Sequence, residues 1–244
     1  MSQKLKLFFA VFFSTSCFLF SQDDTQTVDA SKPTNLYTQI NGALEYQSHE
    51  NGGDLYGLRV NVQYAFDADN LLLLEVPFLY NDASNKFGIS DLRIRYFHAL
   101  KRNITKRLIA IAPYADITVP TGSFENGLGG NVWSLSAGVV AGYVVSPKIA
   151  MFPGAGIVHI TEPSDFDGAS QTGVNFQTNM SISFNSRAFL FVNPIVTFLS
   201  NTVWSGEFNF NYMIKPNKFK VNIGYLPNFT GNIHTFRLGG TIFL

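Results

Sequence analysis

Ten charged side chains recur at alternate positions of strand-like segments, and they are the first candidates for chemistry. Successive side chains of a strand point to opposite faces, so these residues share the face opposite the large apolar side chains. On that face we expect them to point into an interior, because an outward Arg or Lys at the membrane midplane costs about 2–4 kcal/mol. The lumen-lining candidates are Glu45, Arg59, Glu75, Asp91, Arg93, Arg95, Asp116, Glu207, Lys220 and Arg237.

Two roles are open for these charges. Both signs occur on neighbouring segments, so they can form a satisfied network that fills a lumen, or they can line a selective passage. If the connection over residues 81–87 is symmetric, Glu75 lies opposite Arg93. A barrel of about 12 strands lies between the filled 8-strand and open 16-strand cases, so its width does not decide between the two roles.

Catalysis has few candidates. His49, His98, His159 and His234 stand at no recognisable spacing from a nucleophile, although a Ser–His or Asp–His pair on adjacent strands could hydrolyse lipid or peptide. No Cys or His cluster suggests a metal. Residues 122–130 are glycine-rich but lack the Lys-Ser/Thr ending of a phosphate-binding loop. We therefore predict no enzyme, no catalytic residue, no metal and no cofactor.

Composition points away from nucleic acid and towards lipid. The formal net charge is zero, which argues against a nucleic-acid partner. The chain has 24 Phe and 10 Tyr, and only 14% of its residues are charged, against about 25% in soluble domains. A soluble sandwich or barrel would need a polar outer face and an apolar core. The apolar surplus instead favours contact with membrane lipid.

The first 21 residues have the pattern of a secretory signal peptide. Lys4 and Lys6 precede an apolar run that extends to Phe20, and Cys17, the only cysteine, lies within it. Removal of this segment would leave no thiol chemistry. Residues 22–35 are polar and form a periplasmic lead-in, and residues 36–244 form the single following domain.

That domain is predicted to be an all-β, antiparallel, up-and-down transmembrane barrel. Strand-like segments alternate with connections that are largely short and long in turn, and an even count returns the C-terminus to the side of the N-terminus. The count is about 12, with 10 or 14 as alternatives. We expect bulges at Pro113, Pro153 and Pro194, because a closed barrel has no free edge for a proline. The predicted strands are 36–47, 55–66, 71–80, 88–99, 107–119, 132–144, 149–160, 173–184, 187–199, 203–212, 218–227 and 233–244.

The last strand carries a recognisable ending. Residues 233–244 alternate to the final residue, and a closed barrel would pair them with the first strand. Arg237, Gly239, Ile242 and Leu244 resemble the C-terminal insertion signal of bacterial outer-membrane barrels, although that signal more often ends in Phe. The resemblance implies that the C-terminal strand is recognised by the barrel-assembly machinery.

A second resemblance covers the middle of the chain. Ser90 to Tyr96 reads SDLRIRY, residues 119–122 read VPTG, and residues 127–129 read GLG. These stretches resemble the outer-membrane barrels named for the MetA pathway of phenol degradation. That resemblance implies a transporter-like barrel for small hydrophobic or aromatic compounds. The outer-loop candidates from these motifs are Pro120, Thr121, Gly122, Gly127 and Gly129.

Together these patterns predict an outer-membrane barrel of a Gram-negative bacterium that lets small solutes pass without an energy source. Its expected partners are outer-membrane lipid, the assembly machinery and a small-molecule solute. Two alternatives remain: a plugged barrel that acts as a structural or surface-interaction protein, and a lipid-active outer-membrane enzyme. Neither the solute, the oligomeric state nor the openness of the lumen follows from the sequence.

Overall fold

A computed structural model describes residues 30–31, 35–50, 53–164 and 167–244. The predicted signal peptide and most of the lead-in lie outside these residues. The described chain is built from β-strands, and none of it forms a helix that could span a membrane. The strands are β1 Gln39–His49, β2 Leu55–Ala65, β3 Asn70–Asn81, β4 Lys86–Ile89, β5 Leu92–His98, β6 Lys101–Arg102, β7 Leu108–Val119, β8 Ser134–Ser146, β9 Ile149–Ile160, β10 Gln171–Ser183, β11 Ala188–Phe198, β12 Thr202–Lys215, β13 Phe219–Asn228 and β14 Ile233–Phe243.

The sheet closes into an antiparallel barrel of 12 strands, which confirms the predicted fold class and the favoured strand count. Each strand pairs with its chain neighbours, and β1 pairs with both β2 and β14. β4 and β5 both pair with β3 and follow each other along it, so together they form one barrel strand; β6 is a short extra pairing on β7. Closure removes the unpaired edges that an open sheet would expose.

The two faces of the wall differ as the alternation predicted. On β1, Leu44 is 64% exposed on the outer face, whereas the neighbouring Glu45 is 3% exposed on the inner face. The same contrast holds on β14, where Ile242 is exposed and Thr241 is buried. Apolar side chains of this kind surround the outside from β1 to β14, which is typical of transmembrane barrels.

A one-residue irregularity on the fourth barrel strand sets the register of its charges. Phe78 faces Ile89, and Glu75 faces Arg93, so two residues of β3 oppose the three residues 90–92. The backbone N–H of Ser90 donates to the carbonyl of Pro77 at 2.9 Å within this bulge. The predicted pairing of Glu75 with Arg93 is therefore confirmed, with the bulge as its structural cause.

The expectation of bulges at the strand prolines is wrong. The register passes Pro113, Pro153 and Pro194 without a shift. Instead, the ladder lapses on one flank of each: pairs to β5 end at Tyr114 and pairs to β6 begin at Ile111, while the β8–β9 pairs skip Pro153 and the β10–β11 pairs skip Pro194. A missing N–H donor is tolerated where the neighbouring strand asks for none.

The connections alternate less than the sequence suggested. Two long loops, residues 120–133 and 161–170, lie at one end of the barrel, which we call the outer end. The other connections at that end are as short as 199–201. At the opposite, inner end the chain enters β1 and leaves β14, and the longest connection there, 99–107, contains β6.

Candidate functional site

Oppositely charged inward side chains meet where the barrel closes. Glu45 of β1 faces Arg237 of β14, whose Nε donates to Oε2 of Glu45 at 2.7 Å. From β2, Arg59 donates through Nη2 to Oε1 of Glu45 at 2.7 Å and also hydrogen-bonds Oε2 through Nε. One buried carboxylate thus links three consecutive strands across the point of closure.

The same row of charges continues along the next strands. Arg59 Nη1 donates to Oε1 of Glu75 at 2.7 Å, and Glu75 stands opposite Arg93. Arg93 Nη2 donates to Oδ2 of Asp116 at 2.6 Å, and Arg95 Nε reaches the same oxygen at 2.7 Å. Charge-assisted hydrogen bonds of this kind are among the stronger polar interactions in proteins.

Glu207, on the opposite part of the wall, interacts electrostatically with Arg93 but makes no hydrogen bond or ion pair with any described residue. With it, four carboxylates and four guanidinium groups balance, so the ring carries no net charge. We call these eight residues the charge belt: Glu45, Arg59, Glu75, Arg93, Arg95, Asp116, Glu207 and Arg237.

Asp91 has a different position from the one its alternation predicted. It lies in the bulge between β4 and β5 rather than in the belt. Its Oδ1 accepts from the backbone N–H of Gly122 at 3.0 Å, and its Oδ2 accepts from that of Gly130 at 2.8 Å. Thr121 joins the same anchor, because its Oγ1 donates to the carbonyl of Ser90 at 2.9 Å. Asp91 therefore holds both ends of the segment that follows Pro120.

The middle of that segment lies against the inner face of the wall. Asn81 of β3 donates through Nδ2 to the carbonyls of Asn126 and Gly127 at 3.0 and 3.3 Å. Leu128 is buried with Leu79 and Leu55, which point inward from β3 and β2. The loop therefore folds over the outer mouth.

Glycine is needed at one point of this loop. Gly127 has φ of 64°, and a Cβ there would lie 2.3 Å from Nδ2 of Asn81. Gly129 packs similarly, with Asp91 Oδ1 2.5 Å from where its Cβ would stand. The glycine-rich motif thus permits close approach of the loop backbone to the side chains that anchor it.

A cavity of about 330 Å³ occupies the bore between the charge belt and the inner end. Its wall includes Arg95 and Glu207 from the belt and a largely apolar lining, with Phe97, Phe152 and Phe191 among its rings. Lys220 also lines it, with its ammonium nitrogen 5.8 Å from the ring centre of Phe189 and 6.0 Å from that of Phe243. These are cation–π distances.

The chain that leads into β1 also enters this cavity. Tyr37 packs edge-on against Phe243, with ring centres 5.8 Å apart, and both belong to a buried cluster with Phe189 and Met213. Ser181 of β10 donates to the carbonyl of Ser31. Because β10 is five strands from β1 in a ring of 12, the described parts of the lead-in contact nearly opposite walls.

Two polar atoms of the bore have no partner among the described residues. Asn179 of β10 and Asn193 of β11 both line the cavity, and the Oδ1 atom of each is buried without a hydrogen bond. Buried carbonyl oxygens are normally satisfied, so these two call for a donor. Sequence analysis missed both, and also Asn81, because uncharged amides on the polar parity were not distinguished from one another.

The four histidines are scattered. His98 lies beside Asn70, His159 beside Thr172, and His234 beside Tyr225 at 2.9, 2.8 and 2.9 Å respectively. Each sits near a strand end rather than at the cavity. Nowhere in the described ranges do three or more His, Cys, Asp or Glu residues group in a way that could hold a metal ion.

The closed barrel with an apolar outside and a charged bore has the fold of outer-membrane β-barrel porins. The chain is similar to the NanC porin structure at a TM-score of 0.65, with 12% identity over 84% of this chain and all (100%) of that one. It is also similar to the KdgM porin in complex with disordered oligogalacturonate, at a TM-score of 0.60 and 9% identity over 84% of this chain and 98% of that one. Neither a protein-family model nor a curated protein matches the chain, so membership of the family named for the MetA pathway is not shown.

Proposed function

We propose that this protein is a channel for passive passage of small solutes across the outer membrane of a Gram-negative bacterium, after removal of residues 1–21. The observation that carries the proposal is the division of one closed wall into an apolar outer face and a bore lined by the charge belt. Lipid would cover the outer face. Solvated charges and a cavity in the bore would give a solute a polar route past them.

The bore suits small solutes rather than wide, unselective flow. The loop anchored by Asp91 narrows the outer mouth, and Tyr37 with the rest of the lead-in narrows the inner one. Between them, the charge belt offers donors and acceptors on several strands, while the cavity below it offers aromatic rings. Hydrophobic or aromatic solutes, as the resemblance to the MetA-pathway barrels implies, would find partners in the second zone.

Conductance tests the proposal directly. The mature protein, reconstituted into planar bilayers, is expected to give discrete single-channel currents, and proteoliposomes are expected to swell in isosmotic small solutes. Asp91→Asn, which weakens two loop anchors, should raise conductance by opening the outer mouth. Exposed Glu125→Gln on the same loop is the control and should leave conductance unchanged. Absence of both current and uptake would remove the channel function.

A plugged barrel that serves as a structural or surface-interaction protein is the second candidate. Contact of the lead-in with opposite walls of the bore is the observation that favours it. A variant lacking residues 22–35 separates the two: a channel conducts with the lead-in present and conducts more without it. A scaffold filled by its own side chains conducts in neither form.

A further inference from the structure

Lys220 is the one inward charge of the lower bore that the charge belt does not balance. It points inward from the beginning of β13, opposite Thr241 of β14. It makes no ion pair and no hydrogen bond with the residues that the structure describes; its contacts are the rings of Phe189 and Phe243. An unpaired ammonium group beside apolar rings lacks much of the stabilisation that water or a carboxylate would provide.

The other charged groups that face the cavity do not supply that partner. Arg95 is held by Asp116. Glu207 lies six residues above the level of Lys220: it is one residue before Phe208, which pairs with Tyr225, whereas Lys220 pairs with Met213 near the inner end. The cavity therefore has a free positive charge at its inner end, and a carboxylate is the complementary group.

The space around the ammonium suits an apolar body. Beside Phe189 and Phe243 the cavity is lined by Tyr37, Phe152 and Phe191, with alanines and leucines of β3 and β7 completing the wall. Its volume of about 330 Å³ is at the small end of the range of about 300–1,000 Å³ for ligand pockets. A single ring with one short substituent fits this description better than a chain of sugars.

The unpaired Oδ1 atoms of Asn179 and Asn193 add a polar feature on the wall above Phe191. They face the same cavity and would accept a hydrogen bond from a ligand hydroxyl. A carboxylate at one end, a ring in the middle and a hydroxyl at the other end would satisfy Lys220, the aromatic lining and the two amides together.

We propose that this cavity is a binding site for small aromatic carboxylates, with the carboxylate on Lys220 and the ring among Phe189, Phe191 and Phe243. The assignment rests on the proposed channel function, since it names the class of solute that would pause in the bore. Hydroxylated members of the class gain the contact with Asn179 and Asn193.

Equilibrium binding tests the site without requiring conductance. The mature protein in detergent micelles is titrated calorimetrically with benzoate, benzyl alcohol and acetate, with empty micelles as the blank. Wild-type protein should bind benzoate at least about tenfold more tightly than either of the other two, because a charge-assisted contact and the ring contacts each contribute. Lys220→Met should lose that tenfold preference, whereas Lys220→Arg should keep it. Lys148→Met, an exposed lysine of the turn between β8 and β9, should behave as wild type.

The outcomes separate this inference from the channel proposal. Equal binding of benzoate and benzyl alcohol by the wild type would overturn the role of Lys220 without any variant, and equal binding of acetate would overturn the aromatic part. Benzoate binding that Lys220→Met leaves unchanged would also overturn the site. Lys220-dependent binding in a barrel that carries no current would support the site and remove the channel; current without such binding would do the reverse.

Discussion

Glu45→Gln removes the charge that joins both sides of the barrel closure. The carboxylate accepts from Arg59 of β2 and from Arg237 of β14, and a Gln47 amide also donates to it. The substitution keeps the size of the side chain, so it leaves two guanidinium groups with a weaker acceptor rather than creating a cavity. The expected result is a barrel that unfolds more easily but keeps its shape.

The magnitude follows from burial. Removal of one partner from a buried ion pair costs about 3–5 kcal/mol. Here the Glu45 side chain is 0% exposed, but those of Arg59 and Arg237 are 13% and 21% exposed, and Arg59 keeps Glu75. Partial hydration and a remaining partner reduce the loss, so we expect a decrease of about 3 kcal/mol in the free energy of unfolding.

Urea unfolding in lipid vesicles, followed by the fluorescence of Trp133 and Trp204, measures that decrease. Asp69→Asn is the matched control: it removes the partner of Arg102 at an exposed turn, where such pairs contribute about 0.2–1 kcal/mol. A loss for Glu45→Gln no larger than that of the control would refute the account of the belt. The double variant with Arg237→Gln should recover part of the loss, since it removes one stranded charge.

Tyr46→Phe should raise the pKa of the Asp54 carboxyl, because the Tyr46 hydroxyl donates to Asp54 at 2.5 Å and holds that pKa below its usual range. The stabilisation is present above the pKa of unfolded Asp54 and fades as pH falls through the folded one; a carbon-13 titration shows it, and an unchanged midpoint contradicts it. Gly127→Ala should loosen the outer loop and speed cleavage at Glu125 by a glutamyl endopeptidase, since the added Cβ would lie 2.3 Å from a side-chain nitrogen of β3; cleavage at the wild-type rate would argue against a closely packed loop. Leu44→Arg should cost about 2–4 kcal/mol in bilayers, because it places a charge on the lipid side; a cost below about 0.5 kcal/mol, the usual limit for surface changes, would be inconsistent with a lipid-facing position.

The alternation of the wall could be predicted because it is a local property of the chain. In residues 174–185 each apolar side chain is followed by a polar one, so strand geometry alone assigns the faces. The same reasoning placed Glu75 opposite Arg93. It succeeded because the bulge at residues 90–92 compensates for an offset in the turn before it, which a symmetric turn would not contain.

Other features depend on contacts that are distant in sequence. Asp91 shares its strand parity with Arg93, but the bulge redirects it to the backbone of a loop some 30 residues later. Tyr37 follows a polar lead-in, and only closure of β1 on β14 brings its ring onto Phe243. The strand prolines are accommodated by lapses in a neighbouring ladder, which periodicity within one strand cannot reveal.

The chain's central property is a wall with lipid on one side and a polar bore on the other, and single cysteines at two adjacent positions of β13 test it most directly. Asn222 points inward to Asn41, and Ile223 is 62% exposed on the outer face. In proteoliposomes, a charged, water-soluble thiol reagent should label Asn222→Cys and leave Ile223→Cys unmodified. Labelling of Ile223→Cys as fast as Asn222→Cys, or faster, would contradict the account.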